Sequence, residues 1–188
     1  CKREDVLFIA DEVQTGIGLT GKFWGHQHFD ALPDILCFGK KTQVCGVLAS
    51  RRLDEIAHNV FTESSRINST FGGNLIDMVR CSAILKIIEQ ENLVNNAQDR
   101  GKELLKGLED LCQEFPDIIS NSRGRGLMCA FDLQDGATRD NFRKKLLAEK
   151  LLVVGCGEKS IRFRPHLIIN QAEIQLILQI IGKVASQP

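Results

Sequence analysis

Two short apolar runs end in residues that are costly to bury. Val6-Leu7-Phe8-Ile9-Ala10 leads into Asp11-Glu12-Val13-Gln14-Thr15-Gly16, and Asp34-Ile35-Leu36-Cys37-Phe38 leads into Gly39-Lys40-Lys41. A carboxylate or an ammonium taken out of water is heavily penalised unless it is paired. In open α/β sheets, ligands bind outside the carboxyl ends of strands, where both groups fall. Asp11 there suits a protonated heterocyclic nitrogen. Lys40 follows a glycine that allows close backbone approach, and its amine suits imine formation and proton transfer. The pair makes pyridoxal 5′-phosphate (PLP) the first hypothesis. Gln14, three residues past Asp11, could hydrogen-bond the cofactor's phenolic oxygen or the substrate. Each residue taken alone has a plainer reading: Asp11 as an acid capping its loop, Lys40-Lys41 as solvated surface. Lys41 is set aside, because in a continuing strand its side chain points away from that of Lys40.

Further candidates lie downstream. Thr70 precedes Gly72-Gly73 and a helical pattern, and hydroxyls with amides at a helix start suit phosphate. Asn68, Ser69 or Thr70 acting simply as a helix cap fits the same spacing. Ile161-Arg162-Phe163-Arg164-Pro165 places two arginines on one strand face, where one could clamp a carboxylate with parallel hydrogen bonds. A solvated charged face has the same pattern. Arg123-Gly124-Arg125-Gly126 reads as a turn feeding a strand.

Two nucleotide motifs fail on inspection. Gly16-Ile17-Gly18-Leu19-Thr20-Gly21 is a literal GxGxxG, and Gly16 to Lys22 matches GxxxxGK. Asp11 and Glu12 intervene between strand and glycines and would repel a pyrophosphate. Phe23 stands where a P-loop needs Ser or Thr for magnesium. These glycines read as a loop that turns tightly. The histidines are scattered and His26-x-His28 has no cysteine or acidic cluster at ligand spacing, so no metal site is expected.

The elements that must position these residues alternate. Strands are expected at 6–10, 34–38 and 44–50, with a helix at about 22–29 and a short polar one from Arg51. Apolar residues at helical spacing predict helices from Leu75 to about Gln90 and from about Leu93 to Glu114. Beyond Pro116 come strands at 118–119, 127–133, 151–155 and 160–164, and helices at 138–150 and 171–185. This alternation means α/β or α+β, with a boundary near residue 92. Strand 6–10 reads as a buried parallel strand needing neighbours on both sides, more than the later strands supply. The chain is therefore expected to be the C-terminal part of a longer protein.

Composition excludes several classes. The 188 residues carry 24 basic and 24 acidic side chains, so no nucleic-acid or acidic-membrane partner is indicated. No apolar run reaches the roughly 20 residues of a membrane span, and the start lacks a signal peptide's apolar core. Seven cysteines without a CxxC pair fit a reduced, cytoplasmic protein.

Read in order, five motifs resemble the class-III PLP-dependent aminotransferases over nearly the whole chain. They are Asp11-Glu12-Val13-Gln14-Thr15-Gly16, Phe38-Gly39-Lys40, Asn68-Ser69-Thr70 with Gly72-Gly73-Asn74, Arg123-Gly124-Arg125-Gly126-Leu127-Met128, and Ile161-Arg162-Phe163-Arg164-Pro165. The resemblance implies the α/β, aspartate aminotransferase-like fold type I of PLP-dependent transferases. Residues 1–91 would be the C-terminal part of the PLP-binding large domain, and 92–188 the small α+β C-terminal domain. By the same resemblance Asp11 pairs with the pyridine nitrogen, Gln14 lies beside the phenolic oxygen and substrate, and Lys40 is the Schiff-base lysine. Thr70 would reach the phosphate of the neighbouring subunit's cofactor, which implies a homodimer. Arg162 would bind the carboxylate of 2-oxoglutarate, with Asn68 a weaker substrate-side candidate.

Within the class, residues 38–47 with Asn68-Ser69-Thr70 are similar to members that act on the ε-amine of L-lysine. This implies transamination from L-lysine to 2-oxoglutarate, giving 2-aminoadipate 6-semialdehyde and glutamate. Members taking 4-aminobutyrate or another ω-amino acid are the alternative, sharing Lys40-Lys41 and Arg162-Phe163-Arg164-Pro165. A non-catalytic assembly domain is the reading from a different class, and retention of Asp11, Lys40, Thr70 and Arg162 together argues against it. The family's N-terminal region, with its phosphate cup and ring-stacking aromatic, has no counterpart in these residues. These 188 residues alone are expected to bind PLP poorly and to be inactive.

Overall fold

The apolar runs that end in Asp11 and Lys40 form neighbouring strands. The computed structural model describes residues 1–67 and 69–187. Strand β1 (Ile9–Asp11) pairs in parallel with β2 (Ile35–Phe38), which sets Asp11 beside Cys37. Strand β3 (Gly46–Ala49) runs antiparallel to β2, with Phe38 opposite Gly46. The order is β1-β2-β3.

Strand β1 is shorter and less buried than its apolar run predicts. The buried carboxylate of Asp34 takes the amide of Phe8 at 2.8 Å, and Arg52 donates to Asp34 at 2.9 Å and to the Val6 carbonyl at 3.1 Å. These side-chain bonds occupy the Phe8 amide and the Val6 carbonyl, while the Phe8 carbonyl still accepts from the Asp34 and Ile35 amides. Ile9 lies at the sheet edge, 56% exposed. The helix expected at 22–29 contracts to a single 3-10 turn, Gly25–His28, and Arg51–Glu55 is another.

Helix α1 (Leu75–Gln90) starts at Asn74, whose side chain accepts from the amide of Ile76 at 2.9 Å. It is apolar on several sides yet open: Ile88 is buried, whereas Leu75, Ile76 and Val79 are exposed, Leu75 at 80%. Such a helix is normally covered all round.

The second half has a denser core. Helix α2 (Leu93–Glu114) buries Leu93, Ala97, Gly101, Leu104, Leu108 and Leu111, one stripe at helical spacing. It packs on strand β4 (Ser120–Arg125) and on helix α4 (Gln171–Ala185). Strand β5 (Met128–Asp132), helix α3 (Gly136–Ala148), and strands β6 (Val154–Cys156) and β7 (Ser160–Phe163) complete it. The sheet order is β4-β5-β7-β6, all antiparallel. Phe131 centres the core, its ring 5.7 Å from Phe163 and 6.0 Å from Phe142.

Arg123-Gly124-Arg125 is part of strand β4, not the expected turn; only Gly126-Leu127 turns. Gly126 sits at φ +53°, where a two-residue hairpin favours glycine. A methyl on Gly101 of α2 would lie 2.1 Å from the Gly126 carbonyl carbon, so helix and hairpin approach backbone to backbone. Residues 118–119, expected as a strand, form a turn in which both amides bond the Phe115 carbonyl.

The chain divides into two units. One comprises Cys1–Ile17 with Phe23–Glu91; the other takes Gly18–Lys22 together with the chain from Asn92 onward. Gly18 and Gly21 have φ of +87° and +80°, and the Gly21 amide bonds the Gly18 carbonyl. The glycine run is thus a tight loop. Leu19 within it is a member of the second unit's core, and its carbonyl accepts from the Leu127 amide at 2.9 Å.

Candidate active site

Asp11 ends β1 with its side chain exposed, one carboxylate oxygen accepting from the Val13 amide at 3.1 Å. Its neighbour Glu12 points the opposite way, as strand alternation requires, and is only 3% exposed. One Glu12 oxygen accepts from the Thr15 hydroxyl at 2.5 Å and the Gly25 amide at 2.7 Å. The other accepts from the His26 amide at 2.6 Å and faces His26 Nδ1 at 3.1 Å. Burial opposes ionisation of Glu12, but these hydrogen bonds outweigh it and hold the carboxyl below its ordinary 4.5. Gly25 fits this cage because a side chain there would meet Glu12 Oε2 at 2.9 Å. The Gly16 amide closes the loop onto the Glu12 carbonyl at 2.9 Å. Gln14 lies within this closed loop, half-buried.

The lysine turn follows β2 directly. Lys40 has φ +34°, a left-handed conformation that costs a residue with a Cβ about 1–2 kcal/mol. Thr42 holds the turn: its amide and hydroxyl bond the Gly39 carbonyl, both at 3.2 Å, and its hydroxyl reaches the Val44 carbonyl at 2.8 Å. The reversed φ sends successive lysines apart. Lys40 is exposed, whereas Lys41 is half-buried and its ammonium donates to the carbonyls of Gln14 and Gly16, each at 2.8 Å. Lys41 is therefore not the solvated surface residue its position suggests; it bridges the lysine turn to the Asp11–Gly16 loop.

Thr70 lies in an exposed turn before α1, where the Gly72 amide bonds the Ser69 carbonyl at 3.0 Å. The helix cap is Asn74, so the capping role that competed for Ser69 and Thr70 is filled by another residue. Asn68 lies outside the described residues. An open cavity of about 760 Å³ is lined by Val13, Cys37, Phe38, Ser69, Gly72 and Gly73, among others. It brings the loop after Asp11, the strand before Lys40 and the turn around Thr70 to one place. Asp11, Gln14, Lys40 and Thr70 themselves are not among its lining residues.

Arg162 belongs to the second unit, half-buried on β7 between Ala130 of β5 and Val154 of β6. Two residues before it, on the same strand face, Ser160 donates to Asp132 Oδ1 at 2.5 Å. Arg123 donates to the same oxygen at 2.9 Å and to the Ser160 hydroxyl at 2.8 Å, and Asn121 reaches Asp132 Oδ2 at 2.8 Å. Burial works against the Asp132 charge, yet this network keeps its carboxyl below the ordinary 3.8. It locks β4, β5 and β7 one step from Arg162. Arg164, at the same spacing on the other side, is exposed.

Sequence reasoning missed Glu12, Lys41 and the Asp132 network. Glu12 and Lys41 stood beside chosen residues, but apart from Thr15 their side-chain partners named above lie 13 to 27 positions away, where no local pattern reveals them. Among the described residues no cluster of His, Cys, Asp and Glu could hold a metal, and no helix is long and apolar enough to cross a membrane.

Comparison with known proteins gives one consistent picture. The family model for aminotransferase class-III matches residues 1–185. The chain is 52% identical to an L-lysine-epsilon aminotransferase of Mycobacterium tuberculosis over 174 residues, 93% of this chain and 39% of that protein. It is 38% identical to human mitochondrial 4-aminobutyrate aminotransferase over 189 residues, covering 97% of this chain and 36% of that one. Among solved structures, lysine aminotransferase from M. tuberculosis in the internal aldimine form superposes with a TM-score of 0.94 at 49% identity. That match covers 98% of this chain and 42% of the other. The chain thus spans about two-fifths of the length of the relatives it matches.

Proposed function

Because the chain belongs to the class-III aminotransferases, PLP-dependent enzymes of fold type I, we propose that it is part of an enzyme that moves the ε-amine of L-lysine to 2-oxoglutarate. The products would be 2-aminoadipate 6-semialdehyde and glutamate. One observation carries the choice of donor: identity is 52% to a lysine-epsilon aminotransferase against 38% to a 4-aminobutyrate aminotransferase, over nearly the same residues. The second of these supports 4-aminobutyrate as the alternative donor.

The first unit, residues 1–91 apart from the Gly18–Lys22 excursion, would be the C-terminal part of the cofactor-binding large domain. The second would be the small domain. The donor set fits PLP. Asp11 offers a carboxylate to a protonated ring nitrogen, Lys40 a primary amine with no hydrogen bond or ion pair among the described residues, and Thr70 a hydroxyl for phosphate. When bound, PLP supplies an electron-withdrawing ring that stabilises negative charge at the substrate carbon. Asp11 keeps the ring nitrogen protonated, and Gln14 orients the cofactor's phenolic oxygen and the substrate. Lys40, once displaced by the substrate amine, would take the proton from the substrate's Cε and pass it on to the cofactor's C4′. Arg162 clamps a carboxylate of 2-oxoglutarate with paired N–H bonds, and Asn68 stands on the substrate side. Thr70 serving the neighbouring subunit's phosphate makes the full-length enzyme a homodimer, and the free cysteines fit the cytoplasm.

The test uses the full-length parent with 2-oxoglutarate and either L-lysine or 4-aminobutyrate, measuring glutamate. Faster glutamate formation with L-lysine is expected; a preference for 4-aminobutyrate overturns the donor assignment. Lys40→Ala should abolish the visible absorbance of lysine-bound cofactor, and its persistence would refute the role of Lys40.

A further inference from the structure

We infer that Lys41 is a positioning residue that ties the lysine turn to the Asp11–Gly16 loop, so that Lys40 and Gln14 are held as one piece. The inference rests on the cofactor roles proposed above for Lys40, Asp11 and Gln14.

Three observations meet at this side chain. First, its ammonium donates to two carbonyl oxygens of one loop, those of Gln14 and Gly16, both at 2.8 Å. A charged donor to a carbonyl is stronger than a neutral one, and here two such bonds converge from one half-buried group. Second, the loop it grips is already closed on its other side. The Gly16 amide bonds the Glu12 carbonyl, and the Glu12 carboxylate is caged by Thr15, Gly25 and His26. Glu12 therefore pins the loop to the 3-10 turn, and its amide ties the loop's start to the Cys37 carbonyl of β2, whereas Lys41 pins the loop's far end to the turn that carries Lys40. Third, the left-handed φ of Lys40 is what turns Lys41 inward while Lys40 stays exposed. A residue held in that unfavourable region needs surroundings that hold it there. The Lys41 bonds and the Thr42 bonds to Gly39 and Val44 provide that hold.

The consequence is a division of labour between adjacent lysines. Lys40 keeps its amine for chemistry, and Lys41 spends its charge on backbone oxygens. Lys41 fixes the Gln14 carbonyl, and with it the path of the loop that carries Gln14 beside the lysine turn.

The experiment compares full-length wild type with Lys41→Met, Lys41→Arg and, as a control, Lys40→Ala. In the cofactor-free proteins, amide exchange over residues 14–16 should quicken about tenfold in K41M, the scale of one or two charge-assisted hydrogen bonds. K41R, whose guanidinium still donates to both carbonyls, should restore most of the protection. In the loaded proteins K41M should retain the visible absorbance that Lys40 confers but shift its pH titration, because Gln14 no longer holds the phenolic oxygen. Wild-type exchange over 14–16 together with a wild-type titration in K41M would overturn the inference. If K41M does not fold, Lys41→Gln, a neutral donor on a shorter stem, is read by the same criteria. Visible absorbance that survives in K40A would sink the cofactor reading itself, whichever way K41M behaves, so the two failures are distinguishable.

Discussion

Replacing Glu12 with Gln preserves shape and removes one charge, and its cost follows from counting donors. Each Glu12 oxygen faces two of them: Thr15 hydroxyl and Gly25 amide on one side, His26 amide and His26 Nδ1 on the other. Glutamine has a single carbonyl oxygen, so its NH₂ must face one pair. On the Thr15 side the hydroxyl can rotate and accept, which leaves the Gly25 amide unbonded. On the His26 side Nδ1 can accept as the other tautomer, which leaves the His26 amide unbonded. Either way one buried backbone N–H loses its acceptor, at a cost of about 1–3 kcal/mol. By that principle the orphaned amide should exchange ~5- to 150-fold faster. The assay is hydrogen exchange of the Gly25 and His26 amides in the full-length protein at neutral pH. The Glu12 carboxyl is held below its ordinary 4.5, so its contribution is complete above that value and fades as pH falls through the lower folded value. Wild type and E12Q should therefore converge in acid. Equal exchange in both proteins at neutral pH would refute the cage.

Two further outcomes test other parts of the structure. Asp132→Asn should destabilise the protein by about 1.5–3 kcal/mol at neutral pH, the range for hydrogen bonds to a buried charge. Because its carboxyl also lies below the ordinary 3.8, the wild-type advantage in urea denaturation should shrink in acid, and a pH-independent gap would count against the network. Burial pushes the Cys129 thiol up to about 12, so iodoacetamide should leave Cys129 unlabelled in the native protein and label it once unfolded; equal labelling in both states would contradict its burial.

Periodicity revealed what depends on neighbours in sequence. The apolar stripe from Leu93 to Leu111 and the capped run from Gln171 to Ala185 fold as their spacing predicts, because a helix's partners lie three and four residues away. The glycines of 16–21 turn as expected for the same local reason. Residues 6–8 fall outside the regular strand, with the Phe8 amide held by Asp34 and the Val6 carbonyl by Arg52, both far along the chain. Arg123-Gly124-Arg125 looked like a turn and is a strand, since pairing with β5 and the ion pair to Asp132 override a glycine's weak strand preference. Asp11 and Lys40 stood out because charge at the end of an apolar run is anomalous in one dimension. Lys41 and Glu12 are anomalous only in three.

The excursion of Gly18–Lys22 into the second unit makes that unit non-modular. Leu19, 1% exposed, is part of a core whose other members begin at Ala97, and its carbonyl bonds Leu127 more than a hundred residues later. A cut between α1 and α2 would release a piece that lacks one of its own core residues. The two halves are thus interleaved by a stitch and cannot be exchanged between relatives as cassettes, unless the donor of the second half also supplies residues 18–22. The same stitch delays folding. Ribosomal synthesis delivers Leu19 before α2 and the β4–β5 hairpin, so it must wait for them before it has a place to dock.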